Sequence, residues 1–307
     1  MATTNNLTTT YAGEFAGKYI SAALLSGKTL AEGNITIKPN IKFKEVMKKV
    51  ATDDIVKDAT CDFDATSTLT LTERILTPEE FQVNLQLCKK DFRADWEAVQ
   101  MGYSAFDNLP PSFSQFLIAH VADKVAQKME QNIWNGTNAN AGSFDGFKTT
   151  LLADADVNDV AAGAVTSANV ITELGKIADA IPSAVYGSED LFVYVSNNMY
   201  RAYVRALGGF ATNVGASGTD NKGTQWFNGG ALTFDGINMV MASGLADNTA
   251  VAAEKSNLFF GTGLLNDQNE VKVIDMADID GSQNVRVVMR FTAGIQHAIG
   301  SDIVLYS

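Results

Sequence analysis

The sequence is poor in the groups that catalytic and metal sites need. Its 307 residues include only two histidines and two cysteines. Two thiols are too few for a disulfide framework, so we expect Cys61 and Cys88 to be reduced. No cysteine or second histidine stands at a metal-ligand spacing from His120, and we interpret it and His297 as structural histidines.

Short motifs that mark common active sites are also missing. The chain contains no GxSxG elbow, HExxH, P-loop or GxGxxG. The acidic cluster of Asp275, Asp278 and Asp280 lacks the ligand pattern and terminal Glu of a calcium loop, which favours a solvated turn. These absences predict no cofactor, no bound metal and no enzymatic activity.

The sequence also lacks long apolar runs and an excess of basic residues. No run approaches the ~18 apolar residues of a membrane span, and no secretory signal begins the chain. A net charge of −12 argues against a protein that grips nucleic acid. Seven lysines stand against four acidic residues in 28–57, and eight acidic residues against two lysines in 137–200. Either both segments are solvated faces, or a basic arm contacts an acidic body in the same or a neighbouring subunit.

One long helix is the clearest element that is present. Pro110 and Pro111 prevent a helix from entering upstream, and Ser112 opens a capping box. Apolar residues then recur at helical spacing until Asn135-Gly136, a pair typical of a helix end. The pattern predicts a spine helix over 112–135, about 34 Å long.

Two runs of strict alternation precede this helix. Phe63, Leu69 and Leu71 lie on the apolar side of residues 61–72, and a second alternating run, 81–87, begins at Phe81. A Pro-containing turn separates the runs, so the pattern predicts that they pair as one long β-hairpin. Such a hairpin is not stable alone, and its apolar face has to rest on another surface.

The remaining segments predict an α+β fold with strands and helices largely segregated. Tyr11, Phe15 and Tyr19 recur every four residues, which predicts a short helix that needs a surface to fold against. Residues 27–50 are expected to be an extended arm. We also predict loops over 138–166 and 208–236, a helix over 168–181, a strand over 191–196 followed by a helix, and C-terminal strands over 237–241, 258–260, 271–274, 285–291 and 303–306.

In this order the elements resemble the major capsid protein of tailed bacteriophages, which has the Hong Kong 97-type fold. NIWNGT at 132–137 looks like the end of the long helix of its peripheral domain. LFVYVSNNMYRAYVRAL at 191–207 looks like part of its axial domain. NLFFGTGLL at 257–265 and VRVVMRFTAGIQHAIGSDIVLY at 285–306 are similar to its closing strands.

The resemblance implies a domain organisation for the whole chain. An N-terminal arm would cover 1–50 and the hairpin of the extended loop 51–92. The peripheral domain with its spine helix would cover 93–185 and 265–307, and the axial domain 186–264.

The resemblance also implies a structural function without enzymatic activity. The chain would assemble as pentamers and hexamers into an icosahedral shell around double-stranded DNA, bound without sequence specificity. Its expected partners are copies of itself, a separate scaffolding protein, a portal and decoration proteins, with no membrane. It would be made in the host bacterial cytoplasm and reside in the virion. An encapsulin, a cellular compartment with the same fold, is the alternative. The expected inter-subunit contact residues are Tyr11, Phe15, Tyr19, Phe63, Leu69, Leu71 and Phe81.

Overall fold

A computed structural model describes residues 28–41, 43–52, 56–59, 61, 65, 68–92, 111–207, 232–263 and 272–307. The helices within these ranges are α1 Lys28–Ala31, α2 Lys89–Phe92, α3 Pro111–Asn135, α4 Phe147–Leu152, α5 Val170–Ala180, α6 Asn197–Leu207 and α7 Ala277–Asp280. The strands are β1 Thr36–Lys38, β2 Glu45–Thr52, β3 Leu69–Leu76, β4 Glu79–Cys88, β5 Asn158–Val160, β6 Leu191–Val195, β7 Leu232–Phe234, β8 Ile237–Met241, β9 Ala250–Glu254, β10 Leu258–Gly261, β11 Lys272–Asp275, β12 Asn284–His297 and β13 Val304–Tyr306.

The chain forms two units. Of the described residues, the first unit contains those within 80–128 and 263–292, and the second contains those within 27–79, 129–262 and 293–307. The predicted spine helix is confirmed as α3, which begins at Pro111, one residue earlier than expected. Proline is well placed in a first turn because it lacks the N–H that would go unbonded there.

The core of the first unit is a helix packed on a sheet. Strand β11 runs antiparallel to β12, with Lys272 opposite Val288, and β4 also pairs with β12. Leu117 and Val121 of α3 are buried against Val287 of β12. The side chains of Val83, Leu87, Val125 and Val273 complete this cluster.

The second unit is built on a six-stranded sheet in the order β5-β13-β9-β6-β8-β7. Helices α5 and α6 pack on it through a large apolar cluster that includes Leu174, Ile177, Val193 and Met199. The last turns of α3 belong to this unit as well. There Trp134 is fully buried, with its ring centroid 5.0 Å from that of Tyr194 and 5.4 Å from that of Phe147.

The predicted pairing of the two alternating runs is wrong. β3 pairs antiparallel with β2, from Glu45 opposite Leu76 to Thr52 opposite Leu69, whereas β4 pairs with β12. The strand also begins at Leu69, and Cys61 and Ala65 lie outside any strand. Alternation fixes which side chains share a face, but the partner of a strand depends on distant residues that a local pattern does not contain.

The structure also corrects the predictions for three other segments. Residues 27–50 are not simply an extended arm, because β1 pairs parallel with β10 inside a sheet. The segment 138–166 holds α4 and β5 as well as loops, and 208–236 ends in β7. These short elements are stabilised by tertiary packing, as the buried Phe147 of α4 illustrates. Residues 208–231 lie outside the described part of the chain.

The C-terminal strands predicted from the sequence are all observed, and β12 is longer than expected at both ends. The predicted helix over 168–181 corresponds to α5 and the helix after residue 196 to α6. At the start of α6, the Asn198 side-chain oxygen accepts a hydrogen bond from the backbone N–H of Met199 at 2.8 Å. The predicted domain boundaries remain a prediction.

Candidate functional site: a β-ribbon with an exposed apolar face

Strands β2 and β3 form a two-stranded ribbon of eight paired positions. Residues directly opposite each other in an antiparallel pair project from the same face. Val46 and Ile75, which stand opposite each other, therefore share one face with Leu69 and Leu71. Met47 and Leu76 belong to the other face.

The two faces of the ribbon differ in their exposure. Leu69 and Leu71 expose 64% and 63% of their surface, and Val46 and Ile75 expose 44% and 43%. These side chains form two apolar groups, Val46 with Ile75 and Leu69 with Leu71, and the pair Lys48–Glu73 lies between the groups. Grouped apolar side chains in contact with water are typical of protein interaction sites. This exposed apolar face, defined by Val46, Leu69, Leu71 and Ile75, is the most conspicuous feature of the ribbon.

The opposite face packs on the rest of the second unit at the end of the ribbon formed by Glu45 and Leu76, which is called the root of the ribbon below. Leu76 is fully buried and forms a cluster with Ile41, Met47 and the half-buried Phe259. A Cβ on Gly261 would lie 2.7 Å from Leu76 Cδ2 and 2.8 Å from Ile41 Cδ1, so a larger residue there would force these side chains to shift. The packing holds one end of the ribbon firmly, while Leu69 and Leu71 lie further out along β3.

An ionic cluster with one buried and two half-buried members lies beside this end of the ribbon. Arg74 of β3 and His297 at the end of β12 both contact Oδ2 of Asp154, the His297 Nε2 at 2.8 Å. Burial alone would raise the pKa of Asp154. Hydrogen bonds from His297 and the Asp156 backbone, with the Arg74 charge, outweigh that effect and hold the pKa below its ordinary value. The carboxylate is therefore ionised at neutral pH, and His297 Nε2 must carry a proton to donate to it.

Of the contact residues predicted from the sequence, Leu69 and Leu71 lie on the exposed apolar face. Phe81 lies elsewhere, on β4 in the first unit, where its ring centroid is 5.6 Å from that of Phe291. Tyr11, Phe15, Tyr19 and Phe63 lie outside the described residues. Contact with another subunit remains a prediction for all seven.

Sequence reasoning missed Val46 and Ile75 as members of this face. Ile75 lies at the same two-residue spacing as Leu69 and Leu71, but the charged Glu73 interrupts the apolar alternation between them. Val46 joins the face only through the pairing of β2 with β3, which no local pattern indicates.

The described part of the chain holds no group of three His, Cys, Asp or Glu residues placed to bind a metal ion. Within the same ranges, no helix has the length and apolar character needed to cross a membrane. Cys61 is exposed, Cys88 is half-buried, and neither forms a disulfide.

Comparison with known proteins gives matches in structure alone. No known family model and no curated protein matches the sequence. Among solved structures, the chain is similar to the capsid of a native GTA particle, at 12% identity over 94% of this chain and 93% of that one, with a TM-score of 0.64. It is similar to a structure of Gordonia phage Cozz, at 11% identity over 97% and 91%, TM-score 0.62. The capsid of Myoviridae phage XM1 matches at 12% identity over 94% of each chain, TM-score 0.59.

These matches show a fold shared over nearly the whole length of each chain. The protein has the α+β fold of tailed-phage capsid proteins. The resemblance inferred from the order of its elements is therefore confirmed at the level of the fold.

Proposed function

We propose that this chain is the major capsid protein of a tailed bacteriophage, a structural subunit that assembles with copies of itself into an icosahedral shell. Two independent lines of support meet here. The fold is that of phage capsid subunits over 94% of the chain, and the ribbon presents an apolar face that no described residue covers.

The exposed apolar face is the observation that carries the proposal. Fully burying one leucine contributes about 1.5 to 3 kcal/mol, so covering the outer parts of Leu69 and Leu71 would supply about 1 to 2 kcal/mol each. That contribution is too small to hold two subunits together alone. It suits a closed shell, in which every subunit makes the same contact and the small contributions act together.

The proposal extends to the size of the subunit rings, the contents of the shell and its other protein partners. Subunits would associate as pentamers and hexamers, the two ring sizes that close an icosahedral surface. Their net charge of −12 suits a container that encloses double-stranded DNA without gripping it. A scaffolding protein, a portal and decoration proteins would be its other partners, and the protein would reside in the virion after synthesis in the host bacterium.

We propose a domain organisation with the ribbon as the extended loop that lies across a neighbouring subunit. The peripheral domain would contain α3 and the sheet of the first unit, and the axial domain would contain the sheet around β6 and β9. Phe81, Tyr11, Phe15, Tyr19 and Phe63 would add inter-subunit contacts beyond the ribbon.

Electron microscopy of the purified protein tests assembly directly. We expect closed icosahedral shells, and double-stranded DNA inside particles produced during infection. Small oligomers under all assembly conditions would contradict the proposal. Shells that enclose a cargo enzyme and no DNA would instead identify an encapsulin.

A pair of variants tests the role of the ribbon. Leu69→Asp combined with Leu71→Asp places two charges on the exposed apolar face, and we expect a folded subunit that forms no shells. Ile171→Asp is the matched control because Ile171 is also half exposed, at 52%, but lies on α5. Normal particles from the double variant, or an equal loss of particles from the control, would refute the role assigned to the ribbon.

A further inference from the structure

The cluster of Arg74, Asp154 and His297 joins three separate parts of the second unit. Arg74 belongs to β3, Asp154 follows α4, and His297 ends β12. Arg74 stands two residues further out along β3 than the fully buried Leu76. It is therefore an ionic attachment of the ribbon just beyond its apolar root.

The attachment depends on one oxygen atom. Oδ2 of Asp154 receives both the Arg74 guanidinium and the His297 Nε2, while Oδ1 accepts the backbone N–H of Asp156 at 3.2 Å. A Cβ on Gly300 would come within 2.3 Å of the same Oδ2, so the backbone closes tightly around the carboxylate. Anything that draws Oδ2 away from Arg74 therefore loosens the ribbon.

His297 is built to remain neutral in this cluster. It exposes 1% of its surface, and its second ring nitrogen, Nδ1, is buried with no hydrogen-bond partner in the described ranges. Protonation would place an N–H at Nδ1 with no acceptor and a second positive charge beside Arg74. Both effects disfavour the closed cluster.

We propose that Arg74, Asp154 and His297 form a proton-sensitive latch at the root of the β2–β3 ribbon, closed while His297 is neutral and released when it is protonated. The latch governs how rigidly the ribbon is held in the free subunit. Its use during shell assembly rests on the proposed function, but the latch itself is a property of the single chain.

The electrostatic surroundings of the ring agree with this geometry. Burial lowers the pKa of His297 below its ordinary 6.5, Arg74 lowers it further, and the contact with Asp154 opposes both. The charged groups that act on the ring are Arg74 from β3 and Asp154 from the segment after α4. The neighbouring strand β10 places the apolar Leu258 opposite His297.

The size of the effect follows from linkage. In the open form the Arg74 charge no longer lowers the pKa of His297, so the open form takes up a proton more readily than the closed form. Lowering the pH from about 7.5 to about 5.5 should therefore raise the open population of the ribbon root by up to about tenfold. Asp154 keeps its charge over this range because its pKa is held below 3.8.

Hydrogen–deuterium exchange of the full-length, unassembled subunit tests the latch. After correction for the intrinsic pH dependence of exchange, we expect amides of 45–52 and 69–76 to exchange faster at the lower pH. His297→Gln keeps an N–H donor for Asp154 but cannot be protonated, so its ribbon should lose this pH dependence. His120→Gln removes the other histidine of the chain and should behave as the unmodified protein does.

The proposal would be overturned if the ribbon amides of His297→Gln still exchanged faster at the lower pH. It would also be overturned if those of His120→Gln no longer did. Asp154→Asn removes the shared carboxylate and should give fast ribbon exchange at both pH values; protection equal to that of the unmodified protein would also overturn it. If His297→Gln does not fold, NMR titration of the imidazole in the unmodified protein decides, since its midpoint must coincide with that of ribbon exchange. None of these measurements requires shells, so failure of the latch is distinguishable from failure of the proposed capsid function.

Discussion

A methyl group added at position 244 should disrupt the contact between α3 and the segment that follows β8. A Cβ on Gly244 would lie 2.0 Å from the backbone oxygen of Glu130 and 2.7 Å from its carbonyl carbon. It would also lie 2.9 Å from Cδ1 of the fully buried Trp134. Two of these atoms are backbone of a helix and the third belongs to a packed indole, so none can move aside without shifting its surroundings.

The expected cost of Gly244→Ala is at the upper end of overpacking, about 3 kcal/mol. Gly175 provides a matched control in the middle of α5, where an added Cβ has nothing within 4 Å. Alanine is the better helix former, so Gly175→Ala should stabilise the protein by about 1 kcal/mol. The same substitution is therefore predicted to have opposite signs at the two positions.

Thermal unfolding measures both effects if assembly is prevented, because shells would add their own stability. Both substitutions are best made in the background of Leu69→Asp and Leu71→Asp. We expect Gly244→Ala to lower Tm by roughly 6 °C or more and Gly175→Ala to raise it by roughly 2 to 4 °C. An unchanged Tm for Gly244→Ala would show that α3 does not pack on this segment as described.

Two further predictions concern buried carboxylates. Burial raises the pKa of Glu130 despite hydrogen bonds from Thr29, so its contribution to stability is present below pH 4.5 and is lost as the pH rises through the raised pKa. Glu130→Gln should therefore flatten the decline in the free energy of unfolding between acidic and neutral pH, measured by urea titration at several pH values; an unchanged decline would contradict this. Tyr306→Phe removes a hydroxyl that donates to Glu173 at 2.7 Å and accepts from the Gly163 N–H at 2.9 Å, and should cost about 1 to 3 kcal/mol. Loss of this donor should also raise the pKa of Glu173, which NMR titration of its carboxyl carbon measures; the absence of both effects would exclude the hydrogen bond.

The sequence predicted well those elements whose signals are local. Helix α3 was placed within one residue because the prolines before it and Asn135-Gly136 at its end act on adjacent backbone. Strands β6 and β8 were placed as closely, since an apolar run bounded by turn residues is enough to mark a buried strand.

What the sequence could not predict depends on residues far apart in the chain. The ribbon pairs residue 45 with residue 76, and β1 pairs with β10 across more than 200 residues. The cluster of Arg74, Asp154 and His297 is a stronger example, because His297 alone indicated only a structural histidine. The local sequence does not indicate that Arg74 and Asp154 lie together with its ring, because both are distant in the chain.

The order of side chains on the exposed apolar face of the ribbon also restricts how another apolar surface could pack on it. Lys48 and Glu73 stand opposite each other on this face, both exposed, between the pair Val46–Ile75 and the outer leucines. Successive pairs on one face are about 6.6 Å apart, so a partner displaced by one pair would press apolar groups onto two charges. If the ribbon packs on a neighbouring subunit as proposed, these two charges would favour one register of the contact and disfavour the adjacent registers.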